Sequence, residues 1–145
     1  MVDVTKKPEI YREAKAKGAV KLKVDTLRLI REGRIEKGDP FNVAKVAGVL
    51  AAKNTSALIP LCHPLPLTSV EVDLRIVGDS TVEVETTVKT RSQTGVEMEA
   101  LVAASVALLT VWDMTKQYEK DERGQYPNTV IQDIRVIRKM KEEGK

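Results

Sequence analysis

Two adjoining stretches of strict alternation constrain this chain more than any other feature. Residues 70–76 set Val70, Val72, Leu74 and Ile76 against Glu71, Asp73 and Arg75. Residues 82–89 set Val82, Val84, Thr86 and Val88 against Glu83, Glu85 and Lys89. Period-two alternation puts apolar side chains on one side of a strand and charges on the other. Gly78-Asp79-Ser80 between them reads as a hairpin turn. The sheet they start is therefore expected to be antiparallel, with one side in water and one side covered.

The cover is expected from Ala100–Trp112, apolar except for Ser105 and Thr110. Gly95 opens this longest helix, which should reach Tyr118 or beyond. Such a helix is buried nearly all round, and one sheet covers only one of its faces. Self-association is the simplest cover for the rest. Asp39-Pro40 predicts a second helix, with Asp as cap and Pro in the first turn, running to about Lys53. It carries Val43, Val46, Ala47 and Leu50 on one face. Ala19–Val24 alternates as a first strand. Asp25 and Thr26 then cap a short helix around Leu27-Arg28-Leu29-Ile30 that stops near Gly33. A polar connection, Glu119–Asn128, leads to a last strand at Thr129–Arg138. The order is β, α (broken in two), β, β, α, β. This is an α+β chain of the ferredoxin-like βαββαβ type, an antiparallel sheet with helices on one face. One domain over residues 1–145 is expected.

A chain of 145 residues can bury roughly 70% of its unfolded surface and needs no metal or disulfide to fold. The lone Cys62 excludes an intrachain disulfide. With no apolar secretory core near the N-terminus and no run of 18 apolar residues, the reduced cytoplasm is the expected compartment and no membrane is expected. Charge is mild, 24 Lys+Arg against 21 Asp+Glu, and spread along the chain. With one Phe, one Trp and three Tyr, there are few rings to stack on bases, so no nucleic acid is expected. A small anionic substrate suits this balance.

Four segments could carry chemistry. His63, the single histidine, sits in Leu58-Ile59-Pro60-Leu61-Cys62-His63-Pro64-Leu65-Pro66, whose prolines stiffen it. It could equally be a structural loop. One Cys and one His cannot build an ordinary structural zinc site. Thr94-Gly95-Val96-Glu97-Met98-Glu99 leads into the long helix, where acids in the first turn also serve the helix dipole. Asp113 ends the apolar run, with Lys116 at i+3 on the same face. The pair is either a structural ion pair or a carboxylate and amine sharing protons, tuned by partial burial. Lys37-Gly38-Asp39 precedes a helix N-terminus, which suits an anion such as phosphate.

Together these segments resemble the molybdenum-cofactor biosynthesis protein C family, the cyclic pyranopterin monophosphate synthases. The resemblance runs from Met1-Val2-Asp3-Val4 through Arg12-Glu13-Ala14, Lys37-Gly38-Asp39, Leu61-Cys62-His63-Pro64-Leu65 and Thr94–Leu101 to Asp113-Met114-Thr115-Lys116. It implies conversion of 3′,8-cyclo-7,8-dihydroguanosine 5′-triphosphate into cyclic pyranopterin monophosphate, with release of pyrophosphate. It also implies catalytic roles for Asp113, Lys37 and Lys116. Substrate contacts fall on Leu61, Cys62, His63, Glu97, Met98 and Glu99, and further basic positions on Arg12 and Lys139. The implied assembly is a hexamer, a trimer of dimers, with sites between subunits. No cofactor or resident metal is implied, although Mg²⁺ can accompany the triphosphate. Thr115 stands where many members have Cys. The segment Asp121–Asp133 is longer than in many bacterial members, and the tail Arg138–Lys145 lacks the usual Gly/Ser/Lys-rich end. Two other classes fit the bare pattern: an oligomeric module that binds an anionic nucleotide without turnover, and a structural assembly protein.

Overall fold

The computed structural model describes residues 1–142; Gly144 and its two neighbours at the end of the tail lie outside them. Strand β1 spans Ile10–Lys21, followed by helices α1 (Val24–Arg31), α2 (Pro40–Lys53) and the short α3 (Thr55–Leu58). Strands β2 (Leu67–Val77) and β3 (Thr81–Ser92) form the expected hairpin. Helix α4 (Glu97–Glu119) and strand β4 (Val130–Glu142) complete the chain. The sheet order is β2-β3-β1-β4, with antiparallel pairing throughout. This is the α+β arrangement expected, with the helices on one face.

The hairpin register pairs Val70 with Val88, Val72 with Thr86 and Leu74 with Val84. Their apolar sides join Ala14, Ala16, Val20, Leu22, Ala104, Leu108 and Val111 in one core. Fully burying a Val or Leu side chain stabilises by about 1.5–3 kcal/mol, so this layer dominates the energetics. The opposite face is wet and ion-paired: Arg75 meets Glu83 at 2.6 Å and Lys15 meets Glu85 at 3.5 Å.

Strand β1 begins nine residues earlier than Ala19 and ends before Val24, which opens α1. Contrary to expectation, neither Asp25 nor Thr26 caps that helix; both lie inside its first turn. Its N-cap is Lys23, which provides no side-chain cap. Instead the fully buried Glu119 carboxylate accepts from the Lys23 amide at 3.2 and 3.1 Å and from the Thr26 hydroxyl. Glu119 also accepts from Thr129 Oγ1 at 2.7 Å. One carboxylate at the end of α4 thus ties together the starts of α1 and β4. Strand β4 runs beyond Arg138 and carries a bulge opposite Gly18, where Asp133 adopts φ 58°. A Cβ on Gly18 would lie 2.9 Å from both Ile134 Cγ1 and Leu108 Cδ1, so the close approach needs glycine.

Helix α2 starts at Pro40 under an Asp39 cap, as predicted, but turns its other face to the core. Ala44, Gly48, Ala51 and Ala52 are buried, whereas Val43, Val46 and Leu50 are exposed. The small residues allow close packing: a Cβ on Gly48 would lie 2.9 Å from Val72 Cγ2 and 3.2 Å from the Ala103 carbonyl. Helix α2 therefore covers part of α4 within the same chain. Ala100, Ala103, Ala104, Ala107, Leu108 and Val111 are buried without any partner subunit, and Leu109 is exposed. By length and composition α4 could cross a membrane, yet half of its most apolar stretch is buried against its own chain.

Candidate active site

The C-terminal half of α4 carries the first cluster. Asp113 and Lys116, one turn apart, pair at 3.0 Å through Asp113 Oδ1. Lys37, from the loop between α1 and α2, donates to Asp113 Oδ2 at 3.2 Å and to the Asp113 carbonyl at 3.1 Å. The three residues that the resemblance made catalytic therefore meet, though Lys37 is 76 positions from Asp113 in sequence. A carboxylate between two ammonium groups is held ionised. Hydrogen bonds from Lys116 and Lys37 push Asp113 below the ordinary carboxylate range. The bond to Asp113 pushes Lys116 above the ordinary lysine range. Partial burial was the expected cause of this tuning, but all three side chains are about half exposed. Hydrogen bonding sets the protonation states instead.

The loop that delivers Lys37 is shaped by two glycines in the left-handed region, Gly33 (φ 66°) and Gly38 (φ 116°). Its predicted anion site is closed by the chain itself. Asp39 Oδ1 accepts from the amides of Phe41 at 2.9 Å and Asn42 at 3.4 Å, so a carboxylate already occupies that helix N-terminus. Thr115 is buried and its hydroxyl bonds back to the Val111 carbonyl at 2.8 Å, which leaves no reactive group at that position.

The second cluster lies at the opposite end of α4. Leu61, Cys62, His63, Glu97 and Met98 line one open cavity of about 300 Å³, with Ile59, Thr94 and Gly95. The chain cannot form a regular element through the prolines, and it turns at residues 59–62 directly after α3. Behind the cavity, Cys62 Sγ lies 3.9 Å from Glu99 Oε2. Glu99 is 2% exposed, and its Oε1 has no hydrogen-bond partner among the described residues. Burial drives its pKa up, with a further push from Glu97. Burial and the Glu99 carboxyl likewise push the Cys62 thiol up, so it is a poor nucleophile at neutral pH. Lys139, on β4, reaches Glu97 at 3.1 Å and so belongs to this cluster. Arg12 is spent differently: its guanidinium donates to the carbonyls of Ser92 at 2.9 Å and Gln93 at 3.3 Å. It holds the turn that precedes the cavity.

The two clusters do not meet within one chain. Glu99 and Asp113 are 14 residues apart on one continuous helix, about 21 Å at 1.5 Å per residue. Sequence reasoning missed the residues that hold Lys37 in place. The Tyr118 hydroxyl accepts the Glu36 amide at 2.8 Å, and Gln117 Nε2 donates to Glu36 Oε2 at 2.9 Å. Gln117 stands at i+4 from Asp113, so helical spacing placed it beside the acid; nothing marked Tyr118.

Known proteins match this chain over nearly its full length. The chain is similar to proteins named "Probable cyclic pyranopterin monophosphate synthase" in several archaea. The Saccharolobus solfataricus protein is 55% identical over 143 residues, 99% of this chain and 95% of that one. The Pyrococcus furiosus protein is 55% identical, covering 99% of this chain and 91% of that one. The Sulfolobus acidocaldarius protein is 54% identical, covering 99% and 100%. The family model described as "MoaC family" matches residues 1–142. The chain belongs to the MoaC family.

Proposed function

We propose that this protein is a cyclic pyranopterin monophosphate synthase. It takes 3′,8-cyclo-7,8-dihydroguanosine 5′-triphosphate to cyclic pyranopterin monophosphate and pyrophosphate, a step of molybdenum cofactor biosynthesis. The observation that carries the reading is the convergence of Lys37 and Lys116 on opposite oxygens of Asp113. The reaction opens the guanine-derived ring with water, re-closes it on the sugar carbon with loss of a water, and forms a cyclic phosphate as pyrophosphate leaves. Ring opening and closure are proton transfers, and phosphoryl transfer needs positive charge on the developing oxyanions. Asp113, kept ionised, accepts the protons; the ammonium groups of Lys37 and Lys116 return them or stabilise the phosphate oxygens.

The cavity of Leu61, Cys62, His63, Glu97 and Met98 takes the other part of the substrate. The unpartnered oxygen of Glu99 supports this, because a buried carboxyl with a vacant hydrogen-bonding position is costly unless a ligand satisfies it. Lys139 meets the polyphosphate chain from β4. Arg12 contributes through the turn it holds. The reading asks for no resident cofactor; Mg²⁺ would arrive on the triphosphate.

One site takes its two halves from two chains. The separation along α4 supports this, since a nucleotide gripped at one end does not span it comfortably. The outward apolar residues Val43, Val46 and Leu50 of α2, with Leu109 of α4, offer the surface for association into a hexamer built as a trimer of dimers. The cytoplasm suits a chain with a single cysteine and no disulfide to form. The test is to incubate the protein with the cyclised dihydro-GTP and follow both products. Equimolar pyrophosphate and pterin support the reading. Binding without either product points to a non-catalytic nucleotide module.

A further inference from the structure

Residues 32–39 leave the frame of the fold between α1 and α2, and Lys37 lies near their far end. A lysine has a long flexible stem, so its ammonium is placed reproducibly only if its own backbone is held. Within the loop the backbone is tied by Arg34 N to Leu29 O at 2.9 Å and by Gly38 N to Ile35 O at 3.1 Å. Ile35 is buried and anchors the loop's base. Beyond these, the loop is strapped to the end of α4. Tyr118 Oη accepts the amide of Glu36, the residue directly before Lys37, at 2.8 Å. Gln117 Nε2 adds a bond to the Glu36 carboxylate at 2.9 Å. The next residue in the chain then delivers its ammonium to Asp113. Tyr118 touches neither Asp113 nor Lys37 by a hydrogen bond, so its hydroxyl acts on them only through the Glu36 amide.

We infer that Tyr118, seconded by Gln117, is a positioning residue that fixes Lys37 against Asp113 by holding the backbone at Glu36. This rests on the reading of Lys37 and Asp113 as reacting groups. Groups that act together lose rate steeply when one is displaced by an ångström or less. The strap also explains why a polar, half-exposed end of α4 carries a tyrosine: the ring spans the gap and the hydroxyl supplies the acceptor that the loop amide lacks.

Tyr118→Phe removes the hydroxyl and keeps the ring. The expected result is a near-wild-type Tm, a kcat lowered about 10- to 100-fold, the scale of a misplaced reacting group, and a KM within about twofold of wild type. The carboxyl of Asp113, followed by carbon-13 NMR in the free protein, should titrate at higher pH than in wild type, as it should in Lys37→Ala. The doubly substituted Tyr118→Phe/Lys37→Ala protein should match Lys37→Ala alone, because a residue acting through Lys37 has nothing left to act on. A wild-type kcat together with an unmoved Asp113 titration overturns the inference. So does a double variant that loses the full product of the two single effects. If Asp113 titration moves in both single variants while neither loses turnover, the strap is upheld and the catalytic reading of Lys37 falls.

Discussion

Lys37 and Asp113 form an ion pair 3.2 Å long across 76 residues of sequence, and the same lysine binds the Asp113 backbone carbonyl. Two bonds from one ammonium to one residue fix both the charge and the direction of the acid. Lys116 occupies the remaining oxygen from one helical turn away. The arrangement leaves the acid ionised at any pH near neutrality.

Asp113→Asn removes the proton acceptor at almost constant volume. Turnover should fall about 10²–10⁴-fold, the usual contribution of one general acid–base group. Circular dichroism and sedimentation should match wild type, since Asp113 is exposed and outside the core. Lys37→Ala and Lys116→Ala should lower kcat as well; a raised KM with full kcat would make that lysine a binding group only.

Cys62 should be dispensable as a nucleophile. Its thiol is pushed up by burial and by Glu99, so alkylation by iodoacetamide should be slow at neutral pH and quicken in alkaline buffer. Cys62→Ser should retain much of the activity. A covalent adduct trapped at Cys62 during turnover would contradict this.

Glu99 should make stability depend on pH. Its pKa is raised, so the folded protein keeps a proton that the unfolded chain releases. That contribution is complete below the ordinary glutamate range and is lost as pH rises through the raised value. Glu99→Gln carries no such proton. Calorimetric Tm measured from about pH 4 to 8, across the carboxylate range and above it, should fall in wild type relative to Glu99→Gln as pH increases. Parallel curves would show the buried carboxyl to be without effect.

Gly18→Ala should destabilise by about 1–3 kcal/mol, the cost of overpacking a filled core. The new methyl would press on Ile134 and Leu108 at 2.9 Å. The measurement is the denaturation midpoint, with an unchanged m-value.

The hairpin was legible because β2 and β3 alternate cleanly, and their observed register follows that alternation. The first half of β1 was hidden: Tyr11, Arg12, Glu13 and Lys15 are interleaved with Ala14, Ala16 and Gly18, too small to declare a buried face. The core face of helix α2 is hidden for the same reason. Its core face is made of Ala44, Gly48, Ala51 and Ala52, while larger apolar residues point outward. Size draws the eye, but close packing against Val72 and Ala103 needs small residues. The capping role of Glu119 is tertiary, and no local pattern announces it. For the site, Asp113 and Lys116 were legible from i,i+3 spacing. Lys37 was legible only as a basic residue before a helix start, and the cavity residues only as a proline-stiffened segment and an acidic first helical turn; their roles came from the family resemblance. Tyr118 and Glu36 escaped both, because their bond joins two segments far apart in sequence.

The two ends of α4 are proposed to work together as one reaction centre drawn from two chains. Mixing inactive Glu99→Ala chains with inactive Asp113→Asn chains, under conditions of confirmed subunit exchange, tests it directly. Some mixed sites would then hold a wild-type Glu99 from one chain and a wild-type Asp113 from another, and pyrophosphate release should return. If exchange is complete and no activity returns, or if an isolated monomer is fully active, the shared site is contradicted.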